Sequence, residues 1–247
     1  YQSIVGALMY CSTNTRPDIA YATGMLCRAM SRPTPELLLS ARRVVAYLGH
    51  TRDLGLHYSA SGACLQGLSD ANWATKHSTT GYTFLFRSAA ISWASKKQKS
   101  IALSSCEAEI MAASDAAKEA VYMDRFVTEL GFGTGKPVKL AVDNTAARDL
   151  AYNPQHHDRS KHIDRRHFFI REMVEEGRLI VPFVRTADNL ADFFTKPLAP
   201  DLFDRFRAEI MNLPRSGGVA ARSAGSEHGG VLYGDYDAPA PAGCHWI

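Results

Sequence analysis

From Ile110 to Leu130 the apolar residues Ile110, Ala113, Ala116, Ala117, Ala120, Val121, Met123 and Val127 recur at threes and fours. That is the period of an amphipathic helix, and Gly131 ends it. Projected at about 100° per residue, Glu109 falls within the apolar stripe. Glu107 falls on the other side, with Ser114, Lys118 and Arg125. A carboxylate aimed into an apolar face needs a proton, hydrogen bonds or a cation. Glu109 is therefore singled out, and Glu107 is expected at the surface. The plain alternative for Glu109 is a frayed first turn at the positive end of the helix dipole.

The rest of the chain divides by the same reading. Residues 1–60 form apolar, helix-period runs, "SIVGALMYCS", "RPDIAYATGMLCRAM" and "PELLLSARRVVAYLGH", with Pro17, Pro33 and Pro35 marking helix starts. A small helical module is expected there. From residue 62 the period changes: "CLQGLSDA", "GYTFLFRS" and "AISWAS" read as strands, rich in aromatic and β-branched residues. After the central helix come a strand "VKLAVDN", a short helix "TAARDLA", a longer helix "DRRHFFIREMVEEG", a last strand "RLIVPFV" and a last helix "ADNLADFFTK". Three strands, a helix, then alternating strand and helix describe an α/β fold, a mixed five-stranded sheet flanked by helices over 62–200. Residues 213–247 are rich in Gly, Ser and Ala without periodicity, so a disordered tail is expected.

Composition narrows the function classes. The chain has 247 residues, 46% hydrophobic and 21% charged, enough for an ordinary globular core. No apolar run has the length of a membrane span and no signal peptide is visible, so an intracellular protein without a membrane partner is expected. The chain opens on Tyr1, which fits a piece of something longer. Five widely spaced cysteines without a CxxC pair argue against a disulfide framework or a zinc knuckle. A formal charge of +3 does not by itself identify a nucleic-acid binder, so the distribution of charge matters more.

Four acids stand at comparable points: Asp70 ending the first strand, Glu109 opening the central helix, Asp143 ending the fourth strand and Asp192 on the last helix. The carboxyl ends of adjacent parallel strands form the crevice where ligands collect. Carboxylates converging there stay ionised together only with divalent cations between them. Oxygen-only ligands select Mg2+ or Mn2+, the arrangement of two-metal phosphoryl transfer, with ions about 4 Å apart.

The strings "LSDANWA", "STTGYTFLF", "ISWASKKQKSIALSSCEAEIMAA", "VDNTAARDLAYNP", "RSKHIDRRHFFIRE" and "VRTADNLADFFTKPL" closely resemble the ribonuclease H domain of copia-type retrotransposon Pol polyproteins, over about residues 62–200. Residues 1–60 resemble the end of the adjoining reverse transcriptase, beyond its catalytic palm, and the polymerase's paired aspartates are absent. The resemblance implies a ribonuclease H-like fold and a metal-dependent endonuclease for the RNA strand of RNA/DNA hybrids, leaving 5′-phosphate and 3′-hydroxyl ends. It maps the metal-binding and catalytic acids to Asp70, Glu109, Asp143 and Asp192. "EIMA" matches the family's Glu-apolar-X-Ala string, which again selects Glu109 over Glu107. By resemblance Asp70 and Asp143 share two Mg2+ ions, with Mn2+ able to substitute. Glu109 lies toward the leaving oxygen and the ribose 2′-OH, and Asp192 toward the attacking water. Asp188, four residues earlier, shares a helix face with Asp192 in this reading. The histidine that many ribonucleases H carry before the last helix has no counterpart in "VRTADN". The resemblance further implies the reverse transcriptase palm and integrase as partners, and a cytoplasmic particle and the nucleus as locations.

Two basic runs suit a phosphate backbone: Lys96 and Lys97 near Trp93, and Arg159, Lys161, His162, Arg165 and Arg166 in "HHDRSKHIDRRH". A solvated face is the plain reading of such runs. A zinc site at His156, His157, His162 and His167 meets no standard ligand spacing. Two rivals stand beside the nuclease: a catalytically silent transposon relic that binds nucleic acid without cutting, and a transposase or integrase on the same fold. The latter enzymes place their glutamate after both aspartates, whereas Glu109 precedes Asp143.

Overall fold

The structure is a computed structural model and describes residues 1–60, 62, 64–74, 77–152 and 161–214, without the side chains of residues 150 and 161–167. The tail beyond residue 214, Arg159 and the side chains of Lys161, His162, Arg165, Arg166 and the four histidines lie outside the described residues.

The helical start consists of α1 (Gln2–Asn14), a 3₁₀ turn at Pro17–Ile19, α2 (Ala20–Cys27) and α3 (Pro35–His50). Pro35 occupies the first turn of α3, where its missing N–H costs nothing, and the Thr34 hydroxyl accepts from Leu37 N. Val5, Leu8, Ile19, Leu26, Ala41 and Val44 close a small core between the three helices.

The sheet contains β1 (Gln66–Asn72), β2 (Thr79–Phe86), β3 (Ala89–Lys97), β4 (Val138–Val142) and β5 (Leu179–Ile180) in the order β3-β2-β1-β4-β5. The first three strands are antiparallel, whereas β4 runs parallel to β1 and β5 to β4. This is the mixed five-stranded sheet expected from the sequence. The last strand is shorter than expected, because Pro182 brings no N–H to the ladder and only an isolated bridge at Phe183 continues it.

Helices cover one face: α4 (Ser105–Glu129), α5 (Thr145–Tyr152) and α6 (Lys161–Glu175). Ala113, Ala116, Ala117 and Ala120 of α4 meet Tyr82, Phe84, Leu140 and Val142 there. Alanines at those positions let a long helix lie close to the strands. The opposite face holds Leu68, Leu85, Phe193, Phe194, Phe206, Ile210 and Met211. Three of these come from α7 (Pro200–Met211), an element not anticipated above. Among the described residues no helix is long and apolar enough to cross a membrane.

The expected last helix is not one helix. Thr186–Asp188 and Leu190–Phe194 are separate 3₁₀ segments, broken at Asn189. Asn189 is fully buried; its amide donates to Ser69 O at 3.1 Å and its carbonyl oxygen accepts from Ala191 N at 3.1 Å. A side chain that ties the backbone to β1 in this way stops a continuous helix. Gly81, opposite Asp70 in β2, admits the second segment: an added Cβ would lie 2.5 Å from the Thr195 methyl and 2.9 Å from Ala191 O.

The helical start is joined to the sheet by polar contacts. Trp93 Nε1 donates to Ser12 O at 2.7 Å, and an Arg28 amine donates to Thr79 Oγ1 at 3.0 Å. Beneath them Arg16 forms a bidentate pair with Asp18, at 2.9 and 2.7 Å, with side chains 8% and 0% exposed. The Tyr47 hydroxyl donates to the same carboxylate at 2.7 Å and accepts from Arg207 of α7 at 3.0 Å. Removing one member of such a pair leaves a charge buried without compensation. Asp18→Ala is therefore expected to lower stability by about 3–5 kcal/mol in urea unfolding. A loss below about 1 kcal/mol would show that water, and not Asp18, compensates Arg16.

Candidate active site

The register of β1 with β4 builds the site. Ser69 pairs with Val142, so the next residues, Asp70 and Asp143, stand side by side where the parallel pairing stops; Asp143 follows the last residue of β4, and β1 continues to Asn72 against β2. Helix α4 crosses this end and brings Glu109 in. One carboxylate oxygen from each of Asp70, Glu109 and Asp143 lies within 4.8 Å of the others. Asp70 and Glu109 are 4% and 8% exposed, and Asp143 is half-buried.

Such a cluster cannot hold its full negative charge without compensation. Burial, followed by the charges of Asp70 and Asp143, pushes the Glu109 carboxyl up to about 9, although the Ala71 N–H donates to it. Its Oε2 is buried without a hydrogen-bond partner. Burial likewise pushes Asp70 up to about 7, against a hydrogen bond from the Thr195 hydroxyl. Asp192 is also raised, chiefly by burial.

Asp192 stands beside this trio rather than within it. It comes from the Leu190–Phe194 segment and interacts with Asp70, but its Oδ2 is held at 2.8 Å by Lys196 Nζ, while its Oδ1 is buried without a partner. Burial lowers the Lys196 ammonium, and its bond to Asp192 with the charges of Asp70, Asp192 and Asp143 outweighs that effect, so it titrates above the ordinary lysine range. Asp188 is elsewhere, in an exposed ion pair with Arg185 at 2.8 Å. It does not share a helix face with Asp192, because Asn189 separates their segments.

Glu107 is not at the surface. It is 7% exposed; its N–H donates to Ser104 Oγ at 3.1 Å and its Oε2 accepts from Leu103 N at 2.7 Å. This is a helix-capping arrangement in which both partners are satisfied. Residues 107–114 of α4 are all buried because the preceding loop folds over them: Ala102 packs with Ala108, Met111 and Ala112, and Gln98 donates to Ala108 O at 2.9 Å. The string Ser-X-X-Glu at 104–107 was the available signal. Thr195 and Lys196 were not singled out from the sequence either, and the i, i+4 spacing of Asp192 and Lys196 could have found the latter.

Lys96 and Lys97 are exposed at the end of β3, where Thr80 pairs with Lys96 and Thr79 with Lys97. This is the sheet end that carries Asp70, about 10 Å away across two strand spacings. Lys96 lies over the Tyr82 ring at 5.7 Å. Trp93 is engaged with Ser12.

The chain is 40% identical over 208 residues to the retrovirus-related Pol polyprotein from transposon TNT 1-94 of Nicotiana tabacum, a match covering 83% of this chain and 16% of that polyprotein. It is 39% identical over 215 residues to the one from transposon RE1 of Arabidopsis thaliana, covering 85% and 15%. The chain belongs to the retrovirus-related Pol polyproteins of transposons. This Pol segment spans about a sixth of the length of the curated relatives it matches. No family model matches it. Among solved structures it is similar to an N-terminal ribonuclease H domain from Mycobacterium tuberculosis (12% identity, TM-score 0.42, 59% of this chain and 96% of that one). It is also similar to a foamy viral protease-reverse transcriptase in complex with RNA/DNA hybrid (15% identity, TM-score 0.46, 94% and 27%).

The charge cluster is expected to make the stability of the Pol segment depend on pH and on divalent cations. Without cations the folded chain keeps protons on Glu109 and Asp70 that the unfolded chain releases near the ordinary values of 4.5 and 3.8. The folded state then binds more protons, so stability falls as pH rises from about 4 to about 9. In thermal melts with EDTA, Tm should decline over this range, and Mg2+ should raise it by an amount that grows with pH. Glu109→Gln should flatten the limb between pH 7 and 9 in particular. An unchanged limb in that variant would mean that Glu109 is ionised in the cation-free protein.

Proposed function

We propose that this chain is the ribonuclease H segment of a copia-type retrotransposon Pol polyprotein and hydrolyses the RNA strand of RNA/DNA hybrids during reverse transcription. The observation that carries the reading is the trio Asp70, Glu109 and Asp143, its oxygens within 4.8 Å of one another where the parallel pairing of β1 and β4 stops. Membership of the Pol polyproteins supports it.

The residues fit divalent cations. The donors are all carboxylate oxygens, which suit hard ions such as Mg2+, with Mn2+ as a substitute. A buried oxygen of Glu109 lacks any partner within the protein. Asp70, Glu109 and Asp143 would hold the ions, with Asp192 as the fourth ligand. When bound, the ions supply Lewis-acid charge to the scissile phosphodiester and to water. The chain's own contribution is to fix these oxygens and keep bulk water from them: Asn189 anchors the Asp192 segment to β1, and Thr195 orients Asp70.

Lys96 and Lys97, exposed at the same sheet end, would take up phosphates of the hybrid by charge without reading sequence. The same role is proposed for Arg159, Lys161, His162, Arg165 and Arg166. Selection of RNA would rest on contacts to the 2′-OH and the minor groove.

The test is cleavage of a hybrid carrying distinct labels on its two strands, in Mg2+, by the purified chain. The RNA strand alone should be cut. Glu109→Gln should lower the rate by about 100-fold or more, since charge stabilisation by a bound metal contributes several kcal/mol. Glu107→Gln should keep the activity, because a glutamine still accepts the Leu103 N–H. No cleavage by a folded wild-type chain would leave the silent relic as the better reading.

A further inference from the structure

Lys196 Nζ sits 2.8 Å from Asp192 Oδ2, on a carboxylate whose side chain is only 4% exposed. The three acids that converge within 4.8 Å are Asp70, Glu109 and Asp143, and Asp192 stands outside that set with its second oxygen buried and unpartnered. The ammonium therefore occupies one of the two oxygens that Asp192 could offer a second cation, and sets a positive charge beside the other.

We propose that Lys196 is a tethered cation that competes with a second divalent ion for Asp192, so that the trio loads first and Asp192 joins only when Lys196 withdraws. The proposal rests on the metal-binding reading of the acids given above.

Charge is the first reason. Two divalent ions alone neutralise the four carboxylates; with Lys196 in place one ion leaves a single negative charge, and a second ion leaves a positive charge inside a half-buried site, where it is poorly screened. Geometry is the second reason. Asp192 and Lys196 are four residues apart, with Thr195 between them bonded to Asp70, so the lysine is attached to the same short segment as the acid it blocks. Space is the third. Lys196 lines a cavity of about 260 Å3 between the helical start and residues 193–203, together with Asp18, Tyr21, Met25, Arg43, Phe193 and Phe203. The stem has apolar walls to rest on, and the head group has room to move off Asp192. The helical start thereby forms one side of the space into which Lys196 would withdraw.

The experiment is a Mn2+ titration of the full chain at neutral pH, with free Mn2+ counted by electron paramagnetic resonance and folding checked by circular dichroism. Wild type should bind one ion tightly and a second weakly. Lys196→Met, which keeps an unbranched stem, should strengthen the second site by about ten-fold or more and change the first site less. Lys196→Gln should do the same if charge is the cause, and Lys196→Arg should restore the wild-type isotherm. Adding Asp192→Asn to Lys196→Met should remove the gain. An unchanged or weakened second site in both Lys196→Met and Lys196→Gln overturns the competition while leaving the trio intact. No Mn2+ bound to folded wild type overturns the metal reading itself, and the competition with it.

Discussion

Mutual repulsion among carboxylates brought out of water is the interaction around which this molecule is arranged. Three acids converge at one corner and a fourth stands beside them. The corner exists because β1 and β4 are parallel and their pairing stops one residue before Asp70 and Asp143, a geometry that no hairpin could supply. Holding it together falls to the two apolar layers on either side of the sheet. The alanine face of α4 permits a close approach on one side, and the phenylalanines of the Leu190–Phe194 segment with α7 seal the other. Both layers determine how far apart the oxygens lie.

The second layer depends on small steric permissions. Gly81 leaves room where any side chain would strike Thr195 and Ala191, and Asn189 replaces a turn of helix with two bonds to neighbouring backbone. Asp192 is thereby delivered by a short, tightly anchored segment instead of a free helix end. The helical start is tied in through Trp93, Arg28 and the Arg16–Asp18–Tyr47–Arg207 chain of contacts. It is part of the wall next to Lys196 and so of the electrostatic surroundings of the site.

Much of this was legible from periodicity. A change from helical to alternating spacing near residue 62 marked the start of the sheet, and the aspartate of "VKLAVD" follows the last residue of β4, whereas that of "CLQGLSD" lies two residues before the end of β1, where its parallel pairing with β4 stops. What was not legible depended on tertiary contacts. The helical projection assigned Glu107 to water because it cannot register a loop folding over the first turns of α4. The pattern "ADNLADFFTK" reads as a helix until Asn189 is known to be buried against Ser69. The run after Pro200 does carry a helical spacing in Leu202, Phe203, Phe206 and Ile210, and it went unread because the resemblance stopped short of it.

Glu107 and Glu109 make the underlying distinction plain. They are two residues apart, chemically identical and about equally buried, so neither composition nor burial separates them. Their partners do. Glu107 accepts the Leu103 N–H and caps the helix, so its carboxylate already has a partner within the chain. Glu109 has an oxygen with no donor and two aspartates for neighbours, and it keeps a proton well above the usual carboxylate range. A carboxylate satisfied by backbone amides gains little from a cation, whereas one that is desolvated, crowded by like charge and incompletely bonded gains a great deal. The capacity for chemistry at this corner thus follows from which hydrogen bonds the fold withholds.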